Sequence, residues 1–139
     1  MEYKNLEGFD PSTCISGKVM RINRAVGNIF RKYLKPFNIT DSQLSILFVL
    51  TKKGGLTQRQ MTDITILEKS SLNRNLKRLF DREFIQKDQF PIIEITSIGK
   101  SFVNDVIPEW KKAMNEISHL MQEDGSDALN LLHQKIVIR

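Results

Sequence analysis

The sequence has few of the residues from which catalytic and metal sites are built. It contains one cysteine, Cys14, so no disulfide can form within the chain and no cluster of thiolates can bind a metal ion. Its two histidines, His119 and His133, have no cysteine or histidine partner at the spacing of zinc ligands. Gly-rich phosphate loops and nucleophile elbows are also missing. We therefore expect neither an enzyme nor a protein that needs a cofactor.

Long apolar runs are missing as well. No segment approaches the roughly 18 to 20 apolar residues of a membrane-spanning helix, and the first residues, MEYKNLEGFDPS, lack the basic-then-apolar pattern of a secretory signal. With 139 residues, of which 40% are hydrophobic and 27% charged, the chain suffices for one globular unit with its own core. These features predict a cytoplasmic protein with no membrane partner, organised as one unit over residues 1–139.

The whole chain has a formal net charge of +5, and the positive charge is concentrated in its first two thirds. Residues 11–40 contain six basic and no acidic residues, and residues 52–87 contain nine basic and four acidic residues. Residues 97–139, with five basic and six acidic residues, are nearly neutral. This distribution is compatible with a surface that binds nucleic acid, although a solvated helix face would have the same composition.

The first two thirds of the chain are predicted to be helical. Apolar positions at three- and four-residue steps predict a first helix that is capped by Ser12 and runs to about Lys35. Residues 40–43 and 57–60 each form a capping box, with threonine first and glutamine fourth, and each box begins a helix. A further helix is predicted from Lys69 to about Arg82. The last two of these helices, joined by a tight turn, have the form of a helix-turn-helix.

The rest of the chain is predicted to contain a small β-hairpin and more helix. Two short strands are expected around residues 84–85 and 92–95. Thr96 then caps a long helix, which we expect Pro108 to kink because proline removes an amide donor. Residues 124–126, Asp-Gly-Ser, should separate this helix from the last one. The sequence thus predicts a mainly α fold with a hairpin wing, which is the outline of a winged helix-turn-helix.

The helix predicted from Lys69 to Arg82 has one narrow apolar face. On a helical wheel, Leu76 and Leu79 fall within about 40° of Leu72. The opposite side and its flanks carry small polar and basic residues: Ser70, Ser71, Asn73, Arg74, Lys77 and Arg78. This distribution favours a recognition helix that turns its polar side outward.

The polar side suits a helix that enters the major groove of DNA by its N-terminal end. Ser70 and Ser71 are small enough to let the backbone approach, and free amides at the helix start can bind phosphate. Arg74 can bond the two acceptors of guanine, and Asn73 can read adenine. Three basic residues are better placed for phosphates: Lys69, Lys77 and Arg78.

Five segments, spread over nearly the whole chain, share the order and spacing of one known family. They are Phe37 to Leu47, Gly55 to Gln58, Glu68 to Leu79, Glu94 to Gly99, and Pro108 to Trp110. In these segments the chain resembles the MarR family of winged helix-turn-helix transcriptional regulators. The resemblance implies that double-stranded DNA is the partner of the chain.

The resemblance also implies how the chain is divided and assembled. Residues 37–100 would form the DNA-binding region, and residues 12–36 and 101–139 a helical dimerisation region. In the family these helices interlock in a homodimer, whose recognition helices enter successive major grooves of a pseudo-palindromic operator, about 34–36 Å apart. The apolar residues assigned to the dimer contact are Phe102, Val106, Trp110, Leu129, Leu132 and Ile136. The alternative for these residues is the core of a monomer.

The regulatory role that the resemblance implies is that of a repressor released from DNA by a signal. Many members bind a small, often aromatic and anionic effector, for which Arg21 or Arg24 would serve here; the identity of the effector stays unassigned. One alternative is a winged-helix module for protein interaction or dimerisation, with weak DNA binding. Another alternative is a thiol-based redox sensor that uses Cys14. The competing interpretation of Cys14 is a partly buried, unreactive thiol.

Three positions depart from the family pattern. The hairpin is short and lacks the Asp-x-Arg of the family wing, so Lys87 is the wing residue that we assign to DNA. Glu83 stands where relatives usually have the glycine that ends the recognition helix; it either adopts a left-handed conformation at some cost or shifts the helix end. Ile66 fills a turn position that is often glycine.

Overall fold

A computed structural model describes residues 2–138 of the chain. This part forms five α-helices and three strands: α1 (Ile15–Leu34), α2 (Asp41–Lys53), β1 (Leu56–Thr57), α3 (Gln58–Ile64), α4 (Lys69–Asp81), β2 (Ile85–Gln89), β3 (Ile92–Ile95) and α5 (Ser97–Ile136). Short 3-10 turns lie at Lys4–Leu6, Pro11–Thr13 and Lys35–Phe37. The predicted fold, mainly helical with a small wing, is confirmed.

Both predicted capping boxes are formed, and they fix the starts of α2 and α3. The Gln43 amide donates to Thr40 Oγ1 at 3.1 Å, and the Thr40 amide donates to Gln43 Oε1 at 3.3 Å. The same exchange joins Thr57 and Gln60 at the start of α3. Each box satisfies amide groups that have no partner within the helix. Four local residues are enough to form each box, which is why the sequence alone predicts them.

The start of α1 differs from the prediction. Ser12 does not cap this helix, because the Asp10 carboxylate accepts hydrogen bonds from the Ser12 amide at 3.0 Å and from its hydroxyl at 2.6 Å. Asp10 thereby caps the 3-10 turn Pro11–Thr13, and α1 begins only after Cys14. The hydrogen bonds from Ser12 also lower the pKa of Asp10.

The wing is part of a three-stranded antiparallel sheet in the order β1-β3-β2. Ile85 pairs with Ile95 across the hairpin, and Leu56 pairs with Ile93 on the other side of β3. The pairing of β2 with β3 shifts register between Gln86 and Gln89. The sequence predicts only the two hairpin strands, because two residues are too few for β1 to show an alternating pattern.

The long helix α5 is interrupted at Gln122 and not at Pro108. Helical backbone angles continue through Pro108, whereas Gln122 has φ 59° and ψ −174°. Pro108 is exposed and does not end the helix, because the proline φ fits a helix and only the amide donor is lost. The kink expected at Pro108 stays a prediction. The predicted break at residues 124–126 occurs two residues earlier. None of the helices in residues 2–138 is both long and apolar enough to cross a membrane.

The core lies where α2, α4 and α5 meet the sheet. Its fully buried side chains come from all of these helices and include Leu44, Leu47, Leu72, Leu79 and Val106. Edge-on and stacked aromatic pairs extend this core toward the surface, among them Phe48 with Trp110 and Phe84 with Phe102. Residues 37–100 and the first part of α5 thus share one core.

Candidate nucleic-acid interface

Three leucines anchor the recognition helix α4 in the core. Leu72 and Leu79 are 0% exposed and Leu76 is 3% exposed. Because they occupy one side of the helix, the opposite side is turned toward solvent. The residues assigned to DNA are exposed, apart from half-buried Ser71: Lys69, Ser70, Asn73, Arg74, Lys77, Arg78 and, on β2, Lys87. Their outward placement agrees with the helical wheel, and their contact with DNA stays a prediction.

The N-terminal end of α4 is free to receive an anion. Glu68 is the N-cap residue but its side chain makes no capping hydrogen bond, and the first turn has no acidic residue. The amides of this turn therefore retain their donor capacity, which the helix dipole reinforces. Arg74, one turn further along the helix, donates from Nη2 to Ser71 Oγ of this first turn at 3.2 Å. This bond draws the guanidinium toward the end of the helix that would enter the groove.

Gln58 belongs to the same surface, although it was not predicted to. Its Nε2 donates a hydrogen bond to Asn73 Oδ1 and links the start of α3 to α4. The bond occupies the acceptor side of the Asn73 amide, so its NH₂ group is the part left to face a base. The only sequence signal for Gln58 is that it follows the capping residue Thr57 at the start of α3.

The wing strand β2 lies beside the exposed side of α4. Lys87 Nζ is 5.3 Å from the centre of the Phe80 ring, a cation–π contact. A shallow cleft of about 450 Å³ between the two elements is lined by Gln58, Asn73, Lys77, Phe80 and Lys87, with Leu76 at its floor. Asn73, Lys77 and Lys87 thus line one cleft, and we call this cleft, together with the exposed side of α4, the α4–wing surface. Ile66, which fills a turn position that is often glycine in the family, lies in the turn before α4 and is 96% exposed.

The end of α4 is fixed by Glu83 in a left-handed conformation, with φ 59°. The Glu83 amide donates to the Phe80 carbonyl at 2.9 Å, and the Phe84 amide donates to the Leu79 carbonyl at 3.1 Å. This pair of bonds is the Schellman motif, which usually has glycine in place of Glu83. Of the two outcomes expected for Glu83, the left-handed residue is confirmed.

Arg82, although basic and next to α4, serves the fold. Its guanidinium donates to the carbonyls of Asn38 at 2.6 Å and Phe37 at 3.1 Å. It also lies over the rings of Phe84 and Phe102, at 4.5 and 4.9 Å from their centres. Partial burial lowers the pKa of Arg82. Arg82 therefore ties the end of α4 to the turn before α2 and is not available to DNA.

The residues assigned to dimerisation fall into two groups. Leu129, Leu132 and Ile136, near the end of α5, are exposed and free to meet a second subunit. Val106 is 0% exposed inside the protomer, so it cannot contact a partner directly. Phe102 and Trp110 are partly buried against the same core. For Val106 the alternative of a core position is correct, because the first part of α5 packs onto the core formed by residues 37–100.

Helix α1 is joined to α5 by a polar cluster. Glu116 Oε1 accepts from Lys32 Nζ at 2.5 Å and from the Tyr33 hydroxyl at 2.9 Å. The hydrogen bond from Lys32, and after it that from Tyr33, lowers the pKa of Glu116. The bond to Glu116 raises the pKa of Lys32. At the other end of α1, Cys14 is exposed, which differs from the partly buried thiol expected as an alternative.

A cleft of about 550 Å³ lies between α1, the start of α2 and the end of α4. Its basic lining residues are Arg31, Lys35, Arg78 and Arg82, and its acidic ones are Asp41 and Asp81. Arg21 and Arg24, which the sequence offers for an effector, are exposed and do not line it. The cleft touches both α1 and the recognition helix.

Known proteins share this sequence pattern and this fold. Residues 37–89 match the sequence model of the MarR family. YwaE of Bacillus subtilis (strain 168), an uncharacterized HTH-type transcriptional regulator, is 22% identical over 142 residues, which cover 98% of this chain and 81% of YwaE.

Solved structures support the same fold. BpsR of Bordetella bronchiseptica, whose DNA binding is regulated by 6-hydroxynicotinic acid, has a TM-score of 0.86 at 15% identity, covering 94% of this chain and 98% of BpsR. A cysteine-to-serine mutant of MarR from E. coli, complexed with operator DNA, has a TM-score of 0.78 at 16% identity, covering 91% and 96%. The matched segment runs from the turn before α2 through β2, and in this sequence pattern and in its fold the chain is similar to the MarR family of transcriptional regulators.

Proposed function

We propose that the chain is a homodimeric repressor that binds a pseudo-palindromic DNA operator through the α4–wing surface and leaves it in response to a signal. The observation that carries the proposal is the burial of Leu72, Leu76 and Leu79, which presents the polar side of α4 to solvent next to Lys87. We place the protein in the cytoplasm, with the DNA that it regulates.

The residue chemistry of the surface divides between phosphates and bases. Lys69, Lys77 and Arg78 are exposed cations that suit phosphates and position the protein without reading sequence. Arg74 and Asn73 lie nearer the N-terminal end of α4, where a helix in the major groove meets base edges. Arg74 would bond guanine bidentately, and the Asn73 NH₂ would donate to an acceptor on a neighbouring base.

The dimer is supported by apolar side chains that the protomer leaves uncovered. They lie on α1 and on the last part of α5: Ile15, Val19, Met20, Ile22, Leu129, Leu132 and Ile136. Exposed apolar surface of this extent is a common mark of an interface. A two-fold axis would present two copies of α4 to one face of the duplex.

A small anion is the signal that we favour for release. The cleft next to α4 contains four basic and two acidic side chains, so its lining has a net positive charge. It contacts both α1, which we assign to the dimer, and Arg78, which we assign to phosphate. An anion bound there would compete with the phosphate for Arg78. The regulation of BpsR by 6-hydroxynicotinic acid offers a parallel in a protein of the same fold.

The test is DNA binding measured by fluorescence anisotropy. The purified protein is titrated into labelled duplex from the region flanking its own gene and into a shuffled duplex of the same composition. We expect preferential binding to the first, and a fall in affinity from 50 to 200 mM salt with a slope of about 0.9 per neutralised phosphate. Equal, weak binding to both duplexes at low salt would exclude the proposal.

The second candidate, a winged-helix module for protein interaction, is favoured by one observation. The wing, residues 85–95, contains one basic and two acidic residues, so it offers little attraction for phosphate. Absence of specific DNA retention, together with a stable dimer in analytical ultracentrifugation, would support this candidate instead.

A further inference from the structure

The tip of the wing carries an exposed aromatic side chain. Phe90 is 79% exposed, and it stands next to exposed Pro91 and to Ile92, which is 38% exposed. The other aromatic residues of the segment 37–100 are buried or partly buried in the protomer: Phe37, Phe48, Phe80 and Phe84. Burial of a phenylalanine side chain contributes favourable free energy because it removes apolar surface from water. Phe90 is thus the aromatic residue of the DNA-binding region that still has this free energy to gain.

Phe90 is held close to the α4–wing surface. Its amide donates to the Lys87 carbonyl at 3.1 Å, in the turn that joins β2 to β3. Lys87 in turn contacts Phe80 of α4 and lines the same cleft as Asn73 and Lys77. Pairing of β3 with both β1 and β2 fixes the hairpin to the body of the protein. A duplex lying on α4 would therefore have the wing tip at its side.

The composition of the tip indicates how it would contact DNA. The wing has one basic residue, Lys87, against Asp88 and Glu94, so phosphate attraction contributes little. A tip of three apolar residues is also too small for a protein interface, which needs about 1,000 Å² of buried surface. One apolar side chain is enough, however, to wedge between two base pairs from the minor groove.

We propose that Phe90 inserts as an apolar wedge at a base step in the minor groove, beside the major groove that α4 occupies. The inference rests on the proposed DNA-binding function. Its consequence is a preference at bases that α4 does not touch, because pyrimidine–purine steps unstack most easily. The wing would then add specificity through deformation of the duplex in place of charge.

The experiment compares the full-length protein with Phe90→Ala, Phe90→Leu and Lys87→Ala on the DNA fragment that the wild type retains. Since Phe90 and Lys87 are both exposed, we expect the variants to keep a Tm close to that of the wild type. Phe90→Ala should lose about tenfold in affinity, as for removal of one base–aromatic contact, with an unchanged salt slope. Phe90→Leu should keep most of the affinity, and Lys87→Ala should lower the slope.

A second measurement locates the wedge. Duplexes carrying 2-aminopurine at successive adenines outside the α4 half-sites are titrated with each protein. We expect fluorescence to rise at one step per half-site with the wild type and with Phe90→Leu, and not with Phe90→Ala. Equal affinity and fluorescence for Phe90→Ala and the wild type would overturn the wedge while leaving the regulator intact. Intact DNA binding with impaired self-association in Phe90→Ala would assign the tip to protein contact. A wild type that binds no DNA would overturn both proposals.

Discussion

At the scale of single residues, variants of Arg74 and Lys77 test base recognition and phosphate binding separately. Arg74 lies near the start of α4 and is drawn to Ser71, whereas Lys77 is one turn further on. We expect Arg74→Ala to lose about 1–3 kcal/mol of preference for the operator over shuffled DNA. Lys77→Ala is the matched control. It should weaken both complexes alike and lower the salt slope by about 0.9 for each of the two Lys77 side chains in the dimer. Anisotropy titrations on the two duplexes measure both effects; an Arg74→Ala protein that keeps the full preference contradicts the role of Arg74.

Glu83 carries a backbone cost that glycine would avoid. Its φ of 59° is a conformation that side chains with a Cβ rarely adopt, while the two Schellman bonds require it. Glu83→Gly should therefore raise the free energy of unfolding by about 0.5–1 kcal/mol in urea denaturation. Glu83→Ala keeps the Cβ and serves as the control for loss of the charge. If the two variants are equally stable, the cost lies elsewhere.

The sequence predicts the placement of a side chain where residues of the same helix determine it, and it does not predict partners that packing brings from other elements. The helical wheel places Arg74 outward because three leucines on the same helix fix its rotation. Nothing local indicates the partners of Arg82, since the carbonyls of Phe37 and Asn38 are brought to it by the packing of α4 on α2. Gln58 was missed for the same reason, because its partner Asn73 lies on another helix.

At the scale of elements, Gly99 sets the distance between α5 and the wing. A Cβ at this position would lie 2.2 Å from the Phe84 carbonyl oxygen and 2.7 Å from Ile95 Cγ1. Gly99→Ala should therefore destabilise the protein by about 1–3 kcal/mol, because backbone must move to admit the methyl group. At Gly27, in the middle of α1, a Cβ would meet only Arg31 at 3.9 Å. Gly27→Ala is thus a control of opposite sign, with a gain of about 0.4–1 kcal/mol. Urea denaturation compares the two; equal effects would contradict the contact.

The cluster between α1 and α5 predicts an acid-sensitive contribution to stability. Hydrogen bonds from Lys32 and Tyr33 lower the pKa of Glu116 from its ordinary value of 4.5. A lowered carboxylate pKa stabilises the fold above the unfolded pKa, and the contribution is lost as the pH falls through the folded value. We expect Glu116→Gln to lower Tm at pH 7, slightly because the pair is exposed to solvent. The Tm difference from the wild type should shrink as the pH drops below 4.5 and as salt is added. A difference that is independent of pH would contradict the role of the charge.

Helix ends that depend on consecutive residues were predictable from the sequence, whereas elements that depend on pairing with distant residues were not. Capping boxes need only four consecutive residues, and the sequence predicts both of them. The end of α4 at Glu83 is indicated instead by the departure from the family pattern, in which glycine is usual. Strand β1 was missed because its two residues are defined by pairing with β3. The kink at Gln122 lies two residues before the Asp-Gly-Ser segment that predicts a break, while Pro108 is accommodated within the helix.

At the scale of the whole molecule, the apolar residues of the C-terminal third serve two purposes that sequence does not separate. Both sets repeat at helical spacing, yet Val106 is buried in the protomer and Leu132 is exposed. The kink at Gln122 divides them, because the segment before it packs on the core and residues 123–136 are mostly exposed. Which apolar face is internal depends on where α5 changes direction.

The exposed face of residues 123–136 is therefore the place to test whether assembly is needed for DNA binding. Leu129, Leu132 and Ile136 lie on one side of this segment, and Gln134 lies on the opposite side, by the helical period of about 3.6 residues. Leu129→Glu combined with Leu132→Glu should yield monomers in analytical ultracentrifugation, because the charges cannot be buried against a second subunit without a partner.

A monomer holds one copy of α4 and can occupy only one half-site at a time, so it loses the gain from binding both together. We expect the double variant to bind full and half operators with equal affinity, while the wild type and Gln134→Glu prefer the full operator. Unchanged helix content by circular dichroism would show that each protomer still folds. A monomeric variant that still prefers the full operator would mean that pairing on DNA uses a different surface, and the assignment of this face to the dimer would be wrong.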